Sequence, residues 1–271
     1  MVETAACGLR IWHPGTVTDD ATVRSIEVPA GDGTADALLV HPATGGPHPA
    51  VVLYTDAYGI RPAVELHARR LADAGYCVLV PNVFYRHRPA PVLENLAERL
   101  RSGERAALFD ELRPMMAALT PDVADDDGVA WRAFLHNRPE AADGAIGAVG
   151  YCMGGRLALR FAGQFPGDVG AAASFHGGNL ATDQDDSPHL AAVRATAELY
   201  VGHADNDGSM PPEQMARLTQ LLAEAHVRHT CELYVGALHG WTQVDTPVYD
   251  EASAERHWSR LLELFGRVLG R

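Results

Sequence analysis

Seven near-continuous apolar runs of strand length, separated by segments with helical periodicity, restrict this chain more than any other feature. They are ALLVH (37–41), AVVLYTD (50–56), YCVLVPN (76–82), AIGAVGY (145–151), VGAAASFHG (169–177), AELYVGH (197–203) and TCELYVG (230–236). A strand with one wet face alternates polar and apolar residues, whereas a strand apolar at nearly every position is covered on both faces. Between the runs, PAVELHARRLADAG (62–75) sets Val64, Leu66 and Leu71 among charges and stops at Gly75. The closing EASAERHWSRLLELFGRVLG places Ala254, Trp258, Leu261, Leu262, Phe265, Val268 and Leu269 on one stripe. The pattern predicts an α/β fold: a mostly parallel central sheet with helices on both faces.

The 271 residues fall within the range of one large α/β domain. We expect an N-terminal extension over 1–21 and a single domain over 22–271. PAGDGTAD (29–36), HPATGGPHP (41–49), TPDVADDDG (120–128) and NLATDQDDSPH (179–189) read as connections. Residues 90–137 carry helical patches without an intervening strand, and are expected to flank or cap the sheet. The formal charge of −13 opposes binding to nucleic acid or anionic membrane. The first residues lack the basic and apolar stretches of a secretory signal, and no window reaches the roughly 18 apolar residues of a membrane span. A cytoplasmic location with reduced thiols is the expectation.

The four cysteines, Cys7, Cys77, Cys152 and Cys231, have no CxxC or zinc-ligand spacing. Cys77 and Cys231 lie inside apolar runs and read as small buried hydrophobes, and Cys7 falls in the N-terminal extension. Cys152 differs. In AVGYCMGGRLAL it ends one apolar run and opens an amphipathic one, with Gly150 two residues before it and Gly154 two after. This G-x-C-x-G-G stretch has the context of a nucleophile elbow, a strand-turn-helix so tight that a side chain on either flanking glycine would clash. The helix that follows points its N-terminus at the sulfur, favouring thiolate, and the Met153 N–H is available to an oxyanion.

A nucleophile needs a base, and the base an orienting acid. HADNDG follows the sixth run and ALHGW follows the seventh, giving the order Cys152, Asp205, His239. Asp207 is a rival two residues on; Asp205 is preferred because it lies nearer the strand end. His203, His176 and His41 also end strands, as pocket walls or satisfied imidazoles. A metal reading of His203, Asp205, Asp207 and His239 has no supporting spacing, so neither metal nor organic cofactor is expected.

With these residues in place, the chain resembles the dienelactone hydrolase family of the α/β-hydrolase fold. GYCMGG, VVLYTDAYGIRPAVELHARRLADAGYCVLVPNVFYR and ALHGW carry the resemblance. It implies that an acidic residue after the early strand, here Asp56 in place of the family's glutamate, holds the resting thiol, and that the Ala57 N–H completes an oxyanion hole with Met153. It also implies substrate-carboxylate binding by Arg86 and by a second arginine whose position is Gln243 here. A neutral amide cannot supply the guanidinium fork, so a small dianionic or tightly clamped carboxylate substrate is not expected. The implied reaction is hydrolysis of a small ester or lactone through a thioacyl intermediate. Competing readings are a non-catalytic metabolite binder, a thiol redox sensor, and an acyl transferase or lactone-forming enzyme on the same three residues. The oligomeric state, monomer or homodimer, is left open.

Overall fold

A computed structural model describes residues 20–270. The sheet has eight strands: β1 (Ala21–Ala30), β2 (Gly33–Pro42), β3 (Ala50–Tyr54), β4 (Cys77–Pro81), β5 (Ile146–Tyr151), β6 (Val169–Phe175), β7 (Glu198–Ala204) and β8 (His229–Tyr234), in spatial order β1-β2-β4-β3-β5-β6-β7-β8. The six strands from β4 to β8 in that order pair in parallel; β2 runs antiparallel to both β4 and β1. Every residue of β3, β4 and β5 is buried, as expected of strands covered on both faces.

All seven apolar runs form strands. β1 is an eighth that none of them anticipates, and most of the stretch 29–36 taken for a connection is strand. ATVRSIEVPA lies at the sheet edge, so only part of one face is covered and its burial is intermittent. Its pairing with β2 depends on a turn at residues 31–32 and not on an apolar run.

Helices cover both faces. On one side α1 (Pro62–Asp73) and the C-terminal α8 (Glu251–Val268) pack with Val51, Leu53, Val78 and Phe175. The chain leaves α1 through Gly75 at φ +98°, where a side chain would be strained. On the other side lie α3 (Arg105–Ala118), α4 (Pro121–His136), α5 (Met153–Gln164) and α7 (Pro212–Glu224). With the short α2 (Leu96–Arg101), α3 and α4 fill the region 90–137 with helix and no strand. Leu108 and Leu112 of α3 and Trp131 and Leu135 of α4 join that core. Phe109 of α3 reaches the Tyr58 ring at 5.8 Å, so the segment stands beside the loop after β3.

The core also holds histidines. Burial pushes His67 down to about 4 and His203 down to about 4, and holds His176 and His257 well below the ordinary value. At neutral pH these rings are uncharged whether the chain is folded or not. As pH falls below about 6.5 the unfolded chain takes up protons that the folded core refuses, so stability is lost progressively toward pH 4. His239, raised in the fold, gains the last part of its stabilising contribution as pH falls through 6.5, so it offsets only a minor part of this loss. We expect about 2 kcal/mol of destabilisation at pH 5 from each of His67 and His203. Denaturant midpoints at pH 7 and pH 5 measure it; equal midpoints would contradict the burial of these rings.

Candidate active site

Cys152 sits between β5 and α5 with φ +54° and ψ −118°, a backbone conformation costly for a residue with a side chain. The flanking glycines make it possible. A Cβ at Gly150 would lie 1.9 Å from the Gly154 carbonyl oxygen, and one at Gly154 would lie 2.4 Å from the carbonyl oxygens of Tyr54 and Thr55. The spacing in the sequence is therefore a packing requirement: the turn folds back on itself and presses on the end of β3.

His239 lies in the loop after β8, and its imidazole joins two partners. Nδ1 stands 2.6 Å from Oδ2 of Asp207, and the Cys152 side chain bears on the ring as a second partner that favours its charged form. Burial opposes its charge, but Asp207 and the Cys152 sulfur outweigh burial and push the imidazole up to about 10. Asp207 is anchored in turn, its Oδ1 accepting from Ser209 N–H at 2.9 Å and Ser209 Oγ at 2.7 Å. Burial raises its carboxyl, yet the bonds from His239 and Ser209 hold it below the usual range.

Asp205, the preferred acid, is not the partner of the histidine. Its Oδ2 accepts from Gly236 N–H at 2.9 Å and its own N–H donates to Ala237 O at 2.8 Å, so it fastens the end of β7 to the turn that leads to His239. The reason lies between the two acids: Asn206 adopts φ +54°, and this left-handed residue redirects the chain so that Asp207 faces the imidazole.

The other expected contacts also resolve differently. Asp56 is buried, but both carboxylate oxygens are taken by Arg61, at 2.7 and 2.9 Å, and Oδ1 accepts from Tyr58 N–H as well. Its charge is spent on Arg61, not on the thiol. Arg86 grips Asp127 through both terminal nitrogens at 2.9 Å and donates from Nε to Asp32 at 2.8 Å, joining the β1–β2 turn to α4. Gln243 is buried, with Oε1 accepting from Arg61 at 3.2 Å and Nε2 donating to Thr242 Oγ1 at 3.3 Å. Arg61, which the motifs did not single out, is thus held by Asp56, Gln243 and Asp245 together. Its signal was available only as a buried cation near the start of α1, a property that sequence alone does not display.

Among the described residues neither Met153 N–H nor Ala57 N–H has a backbone acceptor outside the regular elements, and both residues are buried beside the turn. Cys77 and Cys231 are free, Cys77 at the far end of the sheet from Cys152 and Cys231 within β8; Cys7 lies outside the described residues. Among the described residues no three His, Cys, Asp or Glu side chains converge as a metal-binding group. Beside the elbow a groove opens between α5 and the α3–α4 connection, lined by Met116, Leu119, Met153, Arg156 and Leu157. No helix among the described residues is long and apolar enough to cross a membrane.

A largely parallel eight-stranded sheet with a strained cysteine turn at the end of its fifth strand, and an acid and a histidine after its seventh and eighth, defines a protein of the α/β-hydrolase fold. The profile of the dienelactone hydrolase family matches residues 35–269, and the chain belongs to that family. A carboxymethylenebutenolidase of Rhodococcus opacus is 28% identical over 254 residues, covering 90% of this chain and 92% of the relative. A crystal structure from Klebsiella pneumoniae bearing the dienelactone hydrolase name has a TM-score of 0.79 at 21% identity, covering 91% of this chain and 99% of that one. A dienelactone hydrolase-like promiscuous phosphotriesterase from metagenomic libraries has a TM-score of 0.76 at 22% identity, covering 93% and 100%.

Proposed function

We propose that this chain hydrolyses small activated esters or lactones, with Cys152 as nucleophile, His239 as general acid and base, and Asp207 as the acid that orients it. The observation that carries the reading is the Asp207–His239 pair at 2.6 Å beside the strained Cys152 turn, with the sulfur helping to hold the imidazole charged. With Asp56 neutralised by Arg61, His239 is the group that takes the proton of the thiol.

The sulfur attacks the carbonyl carbon, and the C=O electron pair moves to oxygen, where the N–H groups of Met153 and Ala57 receive the negative charge. Collapse of the tetrahedral intermediate breaks the bond to the alkoxide or enolate, which takes its proton from His239. The resulting thioester is attacked by water that gives a proton to the same imidazole, releasing the carboxylic acid and restoring the thiol. A thiolate suits leaving groups that need little protonation, so aryl and enol esters are the expected substrates and ordinary amides are not. No charged clamp is built from Arg86 and Gln243, since both are engaged elsewhere.

Alkylation tests the reading. One equivalent of iodoacetamide incorporated at Cys152 is expected to abolish hydrolysis of an activated aryl ester in proportion to the label. Full labelling of Cys152 with activity retained would overturn the assignment.

A further inference from the structure

The backbone of Cys152 is held by more than the strand ladder. Its N–H is shared between Phe175 O at 3.0 Å and Nδ1 of His176 at 3.1 Å. Because Nδ1 accepts, the ring proton sits on Nε2, which donates to Thr242 Oγ1 at 2.8 Å. The same Oγ1 receives the Gln243 amide, and that amide's oxygen receives Arg61, which grips Asp56. One chain of hydrogen bonds therefore joins the cysteine turn, the loop bearing His239 and the loop bearing Ala57. His176 is itself at φ +42° and 1% exposed, with its ring 5.2 Å from that of His239 and 4.9 Å from that of Trp241. A strained, buried residue persists where its surroundings over-determine it.

We infer that His176 is a positioning residue for the hydrolysis proposed above: it ties the strained backbone of Cys152 to Thr242, and so fixes the nucleophile turn against the loop that carries His239. The inference rests on the Cys152 reading. His176 touches no reacting atom and acts by keeping sulfur and imidazole in register. Burial keeps the ring neutral, as an acceptor at Nδ1 requires.

Three substitutions in the full chain, assayed on an activated aryl ester, test it. His176→Phe removes both bonds; His176→Asn keeps an acceptor near the Nδ1 position and tolerates the left-handed backbone; Thr242→Val removes the relay. We expect His176→Phe to lower kcat roughly 100-fold with KM within about twofold, since small misplacements of reacting groups act on the chemical step. His176→Asn should recover to within about fivefold of the parent, and His176→Phe with Thr242→Val should be no slower than His176→Phe alone, because effects carried by a shared bond do not add. If phenylalanine prevents folding, the pair Thr242→Val and Thr242→Val with His176→Asn makes the same comparison. An Asn variant as slow as the Phe variant, or a double variant showing the product of the single losses, overturns the inference. An inactive Cys152→Ala variant beside a fully active His176→Phe variant removes this inference alone, whereas an active Cys152→Ala variant removes the reading on which it rests.

Discussion

Replacement of Cys152 by alanine is expected to lower kcat on an activated aryl ester by about 10⁴-fold or more while the protein still folds, because removal of a covalent nucleophile leaves only binding and oxyanion stabilisation. Folding should survive: the strain of the turn is carried by the backbone, and alanine meets the same φ as cysteine at this position. Serine is the more discriminating replacement. Its hydroxyl is far more basic than a thiol, and the imidazole here is stabilised in its charged form by Asp207 and by the sulfur. Serine lacks the anion that completes that pair, so Cys152→Ser should lose roughly 100-fold or more. Steady-state kinetics with thermal melts as a folding control measures both, and an alanine variant within tenfold of the parent would contradict the assignment.

Asp207→Asn should lower kcat on the order of 10⁴-fold, the scale expected when the orienting acid of such a triad becomes an amide. The amide can donate to Nδ1 and favour the wrong tautomer, and the carboxylate that helps lift His239 to about 10 is gone. Leaving-group protonation depends on a charged imidazole, which is present below that value and lost as pH rises through it. The alkaline limb of the kcat profile should therefore move to lower pH in this variant. Asp205→Asn should stay within about fivefold of the parent, because Asp205 only fastens Gly236. Equal losses in the two variants, or a larger loss at Asp205, would show that the 2.6 Å contact to Asp207 is not the working one.

The contrast between those two acids marks where reading the sequence stops. The cysteine turn is legible because its constraints are local: Gly150 and Gly154 must lie within two residues of Cys152 for the chain to close on itself, and the apolar runs expose β3 to β8 directly. The order of cysteine, acid and histidine is legible too, since it follows the strand order. Which acid faces His239 depends on one left-handed dihedral at Asn206, and nothing in HADNDG displays it. Asp56, Arg86 and Gln243 were expected to face thiol or substrate on the strength of resemblance. Their partners Arg61 and Asp127 come from α1 and α4, and a charge is claimed by whichever opposite charge the tertiary packing brings within reach. His176 was legible only as a strand-end histidine; its bond to the Cys152 amide arises from the alignment of β5 beside β6.

The proposed reaction requires a covalent acyl group at Cys152, and rapid-quench mass spectrometry with an activated acyl ester tests that most directly. The expected result is a species heavier by one acyl group, mapped to the peptide containing Cys152, lost on incubation as the acid is released, and absent from the Cys152→Ala variant. An acyl group mapped to any other residue that forms and decays at the turnover rate would contradict it.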